Sequence, residues 1–281
     1  MNQARRSGKI HPDVLLSLVV ELESRGKLQN PTSLGRASHA GFLGLISRID
    51  PDLGNRLHGA EIKPFTLAIL PAPHPGEKGR NRLCQQTIRL RLTSLKQDLS
   101  TFLWSLEPED IGTIRLLSTE CKVIQVVKCS DDLWADRSSF AELYNNGLIK
   151  GRDGESLIGL KFLSPTIFRM AESRLSMPLP WPRLVFQSLA ARWNAFSPIP
   201  LEIDWPAFDR QVSVARHRLE TKMLDFGRYR QVGFVGECWY LIDRKADSRL
   251  RQALHTFADF AFYAGVGAKT AMGMGQVRRI E

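Results

Sequence analysis

The chain has few cysteines and lacks a long apolar run, and both shortages restrict what it can be. The four cysteines are far apart and form no C-x-x-C pair, so neither a disulfide framework nor a zinc site is predicted. No apolar stretch approaches the roughly 18–20 residues of a membrane span. The apolar residues 14–20 are followed by acidic residues rather than by a small-residue cleavage site, which favours a strand over a signal peptide. We therefore expect a cytoplasmic protein without membrane contact, cofactor or metal.

Several catalytic and nucleotide-binding motifs are also missing. The chain contains no Gly-x-Ser-x-Gly, and its one dense glycine segment, residues 265–275, departs from the known phosphate motifs. In a P-loop the lysine directly follows a glycine, but here Ala268 separates Gly267 from Lys269. In a dinucleotide fingerprint a third glycine stands where this chain has Thr270. The fingerprint is also followed by a helix, whereas this segment is preceded by a predicted helix and followed by a predicted strand. These departures argue against an enzyme that binds ATP or NAD.

Acidic residues are outnumbered by basic ones. The chain of 281 residues has 39 Lys and Arg against 29 Asp and Glu, which gives a net charge of +10 and a pI of about 9.7. Such a field attracts polyanions, and nucleic acid is the leading candidate. The hydrophobic fraction of 43% is enough for packed cores, and the length suggests about two domains.

Apolar periodicity in the first half predicts the order strand, helix, strand, strand, helix, strand. The predicted strands are 13–22, 64–70, 87–92 and 122–128, and the predicted helices are 34–49 and 95–106, with a helical turn at 53–57. This βαββαβ order is typical of a ferredoxin-like domain. Residues 88–92 alternate strictly, so we expect Arg89 and Arg91 to lie on an open face of the sheet.

The second half repeats a similar order without visible sequence repetition. Strands are predicted at 156–162, 167–170, 211–219, 232–242 and 277–280, and helices at 182–196 and 247–264. The polar, glycine-rich residues 131–155 are interpreted as a linker, with a short helix at 140–144. We therefore predict an α+β protein with two tandem ferredoxin-like (RRM-like) domains, 1–130 and 156–281, and a C-terminal glycine-rich loop.

The glycine-rich loop, residues 265–275, is predicted to bind phosphate. Glycines adopt positive φ angles and let the backbone approach a ligand closely, and successive exposed N–H groups suit phosphate oxygens. Lys269, Arg278 and Arg279 add positive charge nearby. A flexible turn without a ligand is the alternative interpretation of the same glycines.

Histidines are the candidate catalytic residues. His39 lies near the start of the first predicted helix, His58 lies at the far end of the same helical unit, and Lys63 follows closely. Imidazole transfers protons near neutral pH, and a fixed ammonium stabilises the charge of a phosphorane. This combination suits RNA cleavage by a 2′-hydroxyl that attacks its own phosphate, although a structural role for each histidine stays possible. His255 lies beside core positions and is expected to be structural.

Four segments together resemble one family. They are FAFYAGVGAKTAMGMG at 260–275, FLSPTIFR at 162–169, SHAGFL at 38–43, and DPDLGNRLH followed by KPFT within 50–66. In this order along the chain they resemble the CRISPR-associated RAMP endoribonucleases of the Cas6 family, which process precursor CRISPR RNA. The glycine signature is the most specific of the four segments.

The resemblance implies a metal-independent endoribonuclease that cuts once within each CRISPR repeat, leaves a 2′,3′-cyclic phosphate and produces mature crRNA. By position, His58 matches the family's catalytic histidine and Lys63 a supporting lysine. Some members carry a tyrosine in the first helix, where this chain has Ser47 and Arg48, so His39 is the candidate for the third group.

The resemblance also implies an RNA-binding surface and partners. The expected RNA-binding residues are Arg169, Gly265, Gly267, Lys269, Thr270, Gly273, Gly275 and Arg278. Arg279 and the face with Arg89 and Arg91 are expected to extend this surface. The expected partners are CRISPR repeat RNA and crRNA, with effector-complex subunits as further candidates and both a monomer and a homodimer open. A non-catalytic RAMP-type RNA-binding subunit is the alternative function.

Overall fold

The chain folds into two units, 1–139 and 140–281, each with its own antiparallel sheet. The structure, a computed structural model, describes residues 14–24, 34–70, 86–117, 119–128, 132–170, 173, 175–227 and 229–281. Of the four cysteines, Cys84 and Cys129 lie outside these ranges, whereas Cys121 and Cys238 are buried free thiols. Within the same ranges, no helix is long and apolar enough to cross a membrane.

The first unit has the predicted βαββαβ order, with additions after its second long helix. Its elements are β1 (Val14–Ser24), α1 (Leu34–Ile49), α2 (Pro51–Gly59), β2 (Phe65–Leu70), β3 (Gln86–Ser94), α3 (Gln97–Ser105), α4 (Pro108–Ile111), β4 (Thr113–Leu116), β5 (Thr119–Val127) and β6 (Asp136–Ser139). The strand order is β2-β3-β1-β5-β4, and β6 also pairs with β1. The spatial order β2-β3-β1-β5 across the sheet is that of a ferredoxin-like domain, with β4 added at the edge.

The prediction that Arg89 and Arg91 lie on an open face was wrong. Both side chains are buried, because residues after β5 lie against this part of β3. Arg91 donates to the Ser17 hydroxyl at 3.0 Å and lies 4.9 Å from the ring centroid of Trp134. Arg89 forms an ion pair with Asp132. Both cations are therefore paired inside the first unit, where they hold residues 132–134 on the sheet.

The segment interpreted as a linker, 131–155, contains regular structure where the chain is described. It contributes β6 to the first sheet and begins the second unit with α5 (Phe140–Arg152). Two glycines of α5, Gly147 and Gly151, face the backbone of a later helix around Gln252. A Cβ at Gly147 would lie 2.8 Å from the Gln252 carbonyl oxygen. These glycines allow two helices to pack closely, whereas glycine in a sequence is usually taken as a sign against a helix.

The second unit repeats the ferredoxin-like order after α5. Its further elements are β7 (Leu157–Thr166), β8 (Phe168–Arg169), β9 (Ser176–Met177), α6 (Pro182–Phe196), α7 (Trp205–Gln211), β10 (Val212–Asp225), β11 (Arg230–Ile242), α8 (Ser248–Ala264) and β12 (Val277–Ile280). The sheet order is β10-β11-β7-β12. The predicted α+β class with tandem ferredoxin-like domains is therefore confirmed.

Aromatic packing forms the core of the second unit. Trp193 of α6 is fully buried and packs edge-on against Phe260 of α8 and Phe140 of α5, with ring centroids 5.2 and 5.1 Å apart. Asp247 begins α8 by accepting hydrogen bonds from the first backbone amides of the helix. This core fixes the C-terminal end of α8, from which the glycine-rich loop starts.

Candidate functional site

His58 lies in the last turn of α2, and its side chain is exposed. The helix begins at Pro51, two residues before the predicted turn at 53–57, because the Asp50 carboxylate accepts from the Leu53 amide at 2.9 Å and proline suits the first turn. It ends at Gly59, where the Ala60 amide still bonds the Arg56 carbonyl. The short helix therefore presents one imidazole to solvent at its C-terminal end.

Lys63 binds the end of this helix. Its ammonium donates to the carbonyl oxygens of Leu57 and His58, at 3.0 and 2.7 Å. A cation at a helix C-terminus satisfies orphan carbonyls and complements the helix dipole. Because an ammonium has three N–H groups, one is left over after these two bonds. Lys63 thus fixes the backbone that carries the His58 side chain.

His39 lies on α1 and is half-buried. Its ring stacks on Phe65, the first residue of β2, with centroids 5.8 Å apart and planes at 21°. Phe42, one helical turn further on, packs edge-on against the same ring at 5.1 Å. Since Phe65 follows Lys63 by two residues, His39 contacts the chain just after Lys63. The catalytic roles of His39, His58 and Lys63 stay predictions.

The glycine-rich loop owes its glycines to backbone geometry. The φ angles of Gly265, Gly267, Gly273 and Gly275 are 65°, 79°, 92° and 67°. Residues with a Cβ rarely adopt such angles. A Cβ at Gly267 would also collide with the carbonyl of Ile167. The loop is therefore an ordered part of the second unit, packed closely on residues at the end of β7.

Several amides of this loop bond inside the unit. The Val266 amide donates to the Gly275 carbonyl at 2.9 Å, and the Gly267 amide to the Ser188 hydroxyl at 2.8 Å. The Ala268 amide donates to the Ile167 carbonyl at 2.9 Å. These three N–H groups are not the exposed concavity that the glycine pattern suggested. Contact between the predicted loop residues and RNA stays a prediction.

Thr270 is buried and receives a hydrogen bond from Arg192 of α6. The two Nη atoms of Arg192 donate to the Thr270 hydroxyl at 2.6 Å and to the Ala264 carbonyl, the end of α8, at 2.9 Å. Burial lowers the pKa of Arg192 to about 10, so the guanidinium is still charged at neutral pH. Sequence reasoning missed Arg192, because no motif joins α6 to a loop about 80 residues later.

The remaining predicted RNA-binding cations differ in their surroundings. Arg169 is exposed in β8, and Arg278 is half-buried in β12 opposite Lys161. Lys269 is half-buried, and its ammonium lies 4.8 and 4.4 Å from the ring centroids of Phe226 and Tyr229.

Arg279, which was expected to contact RNA, is held by internal partners. Its guanidinium donates to Asp259 at 3.2 Å, to Glu155 at 2.9 Å and to Nδ1 of His255 at 3.0 Å. His255 is fully buried, as expected of a structural histidine. Arg279 therefore joins β12 to α8 within the second unit, and its internal partners argue against a contact with RNA.

Two family models match the chain and together span both units. Residues 14–145 match the CRISPR Cas6 N-terminal domain, and residues 160–277 match the CRISPR-associated endoribonuclease Cas6. A curated CRISPR-associated endoribonuclease Cas6 from Streptococcus thermophilus is 22% identical over 83% of this chain and 87% of its own length.

Solved structures agree with these matches over nearly the whole chain. A Thermus thermophilus Cas6 is 30% identical, with a TM-score of 0.70 over 96% of this chain and 100% of its own. A Cas6 product complex is 29% identical, with a TM-score of 0.75 over 95% of this chain and 100% of its own. The chain belongs to the Cas6 family of CRISPR-associated endoribonucleases.

Proposed function

We propose that this endoribonuclease cleaves CRISPR precursor RNA within each repeat without a metal ion, and so releases mature crRNA. The 2′-oxygen bonds to the adjacent phosphorus while the bond from phosphorus to the 5′-oxygen breaks. A base takes the 2′ proton, and an acid gives a proton to the 5′-oxygen. The products carry a 2′,3′-cyclic phosphate and a 5′-hydroxyl.

The observation that carries this proposal is the exposed imidazole of His58 above a fixed backbone. The backbone carbonyl of His58 accepts a hydrogen bond from Lys63 at 2.7 Å, while the His58 side chain faces solvent at the end of α2. A proton-transfer group must reach the substrate and must also be held in one orientation. We assign proton transfer to His58, a second proton-transfer role to His39, and orientation of His58 plus a nearby positive charge to Lys63.

Binding of the RNA is assigned to the second unit. Arg169 is exposed, and Arg278 is partly accessible at the edge strand that follows the glycine-rich loop. Guanidinium groups form bidentate hydrogen bonds with phosphates, which suits them to hold an RNA backbone. Of the loop residues predicted to contact RNA, Gly267 and Gly273 are partly accessible, whereas Gly265, Thr270 and Gly275 are buried. We therefore assign a direct contact to the first two and a role in holding the loop to the other three.

Cleavage of a cognate CRISPR repeat RNA in EDTA tests the reaction. We expect a single cut within the repeat and a 2′,3′-cyclic phosphate on the upstream product. A 2′-deoxy substitution at the scissile nucleotide should abolish the cut, because it removes the nucleophile. Cleavage that needs a divalent cation, or that persists with the 2′-deoxy substrate, would show that the mechanism is wrong.

Substitution of the proposed residues tests their roles. We expect His58→Ala to lower kcat by about 10²–10⁴-fold, the usual contribution of proton transfer by a side chain. Lys63→Ala should cost less, and Lys63→Arg should recover part of the loss because a guanidinium can also reach the two carbonyls. Full activity of His58→Ala would move the assignment to His39. A protein that binds the repeat without cutting it would instead be a non-catalytic RNA-binding subunit.

A further inference from the structure

Lys269 has a backbone conformation that lysine rarely adopts. Five positions of the glycine-rich loop have positive φ angles, and four of them are glycines. The fifth is Lys269, at φ 60° and ψ 31°. A side chain in this left-handed region has a steric cost that glycine avoids. Strained residues persist where the surrounding structure holds them in place, which points to the partners of this side chain.

The ammonium contacts Phe226 and Tyr229, which lie between β10 and β11; we call the described residues Phe226, Gly227 and Tyr229 the hairpin turn. The ammonium lies 4.8 Å from the ring centroid of Phe226 and 4.4 Å from that of Tyr229, and it donates to the Gln231 side-chain oxygen at 3.3 Å. The two rings stack with centroids 5.2 Å apart. Both distances are within the range of cation–π attraction. Lys269 therefore joins the hairpin turn to the glycine-rich loop.

Apolar packing supports the same contact. Phe226 is buried in a cluster with Ile167 and Met274, so the turn rests on the glycine-rich loop and on the end of β7. Two residues of α6 also bind the loop: the Ser188 hydroxyl accepts from the Gly267 amide, and Arg192 donates to the Thr270 hydroxyl. The loop is thus held by α6 through hydrogen bonds and by the hairpin turn through Lys269.

The hairpin itself exposes three cations. In β10, an edge strand of its sheet, Arg216, Arg218 and Lys222 are all exposed, and Lys222 also lies 3.9 Å from the carboxylate of Glu220. A long edge strand is paired on one side only, so the position of its cations depends on how the hairpin is anchored. The turn at its far end is the part that Lys269 holds.

We propose that Lys269 is a positioning residue, which fixes the hairpin turn on the glycine-rich loop so that the cations of β10 meet the RNA backbone in one arrangement. This inference rests on the proposed function, because it takes RNA as the ligand. It replaces a direct phosphate contact by Lys269 with an action through Phe226 and Tyr229.

Removal of the ammonium separates these two roles. In full-length Lys269→Met, hydrogen exchange of residues 224–232 should be faster without RNA, and the repeat RNA should bind about three- to tenfold more weakly. The slope of log affinity against log salt should not change, because no phosphate contact is lost. A direct phosphate contact would instead lower that slope by about 0.7–0.9. Lys269→Arg should restore both exchange and affinity.

Two more variants complete the test. Lys269→Gly removes the side chain and relieves the positive φ, so weaker RNA binding in this variant cannot be due to backbone strain. Lys245→Met removes an exposed charge from a turn elsewhere in the same unit and controls for net charge. Unchanged exchange in Lys269→Met, a lower salt slope, or faster exchange with wild-type affinity would each overturn the inference. Wild-type protein that binds the repeat without cutting it would overturn the proposed function alone.

Discussion

At the scale of single residues, His255 has a protonation state defined by its partners. Arg279 can only donate, so Nδ1 of His255 must accept, at 3.0 Å. Nε2 therefore carries the proton and donates to the Glu155 carbonyl at 3.0 Å. The ring is neutral, in agreement with burial, which lowers the pKa of His255 below its ordinary 6.5. Glu155 and Asp259 oppose this shift, because both are anionic.

This arrangement predicts a stability that falls in weak acid. Since the folded-state pKa of His255 is lowered, the unfolded chain binds a proton where the folded chain does not. The contribution is fully present above the ordinary pKa of 6.5 and is lost as the pH falls below it towards the folded value. We expect the thermal midpoint to drop between about pH 7.5 and pH 5.5. His255→Gln, which cannot titrate, should show a flatter profile, and parallel profiles would contradict the assignment.

Which residues could be predicted from the sequence depended on where their partners lie along the chain. The contact of Lys63 with the His58 carbonyl joins residues only five positions apart, so their proximity can be read from the sequence. Arg89 and Arg91 were misjudged because their partners Asp132 and Trp134 come about 40 residues later. A strict alternation of apolar and basic residues describes the strand and does not say what covers its second face.

At the scale of elements, prediction was good where a helix or strand buries one apolar face. The bounds of α1 and α6 were predicted to the residue, since each has a regular apolar stripe and proline or aspartate at its ends. β10 was predicted six residues too short at its end, because that part is exposed or half-buried and shows no alternation. α5 was mostly taken for a linker, because two of its packing positions are glycines.

The glycine packing of α5 leads to a test by substitution. In Gly147→Ala, the new Cβ would lie 2.8 Å from the Gln252 carbonyl and 2.9 Å from the Thr256 amide. Both atoms belong to the backbone of α8 and cannot rotate away, so we expect a loss of about 1–3 kcal/mol from overpacking. Urea unfolding of the variant and the wild type measures this loss.

Gly44→Ala is the matched control, because nothing lies within 4 Å of its Cβ in α1. Alanine is favoured over glycine inside a helix by about 0.5–1 kcal/mol, so this variant should be as stable as the wild type or more stable. Equal effects of the two substitutions would mean that α5 does not pack closely on α8.

At the scale of the whole molecule, the candidate residues divide between the two units. His39, His58 and Lys63 belong to the first unit, and the candidates for RNA binding, Arg169 and Arg278 among them, belong to the second. The net charge of +10 favours binding of a polyanion such as RNA. Proton transfer acts in the transition state, whereas phosphate contacts hold the substrate and the transition state alike. The two groups of residues should therefore affect different kinetic constants.

This division predicts opposite kinetic signatures. Arg169→Gln and Arg278→Gln should each raise KM for repeat RNA by about tenfold with kcat nearly unchanged, because uniform binding is lost. Each should also lower the salt slope of RNA affinity by about 0.7–0.9.

His58→Ala should lower kcat and leave both KM and the salt slope near the wild-type values. Lys245→Gln, which removes an exposed charge outside the candidate surface, controls for net charge. If Arg169→Gln or Arg278→Gln lowered kcat at saturating RNA as strongly as His58→Ala, the chemistry would not be confined to the first unit.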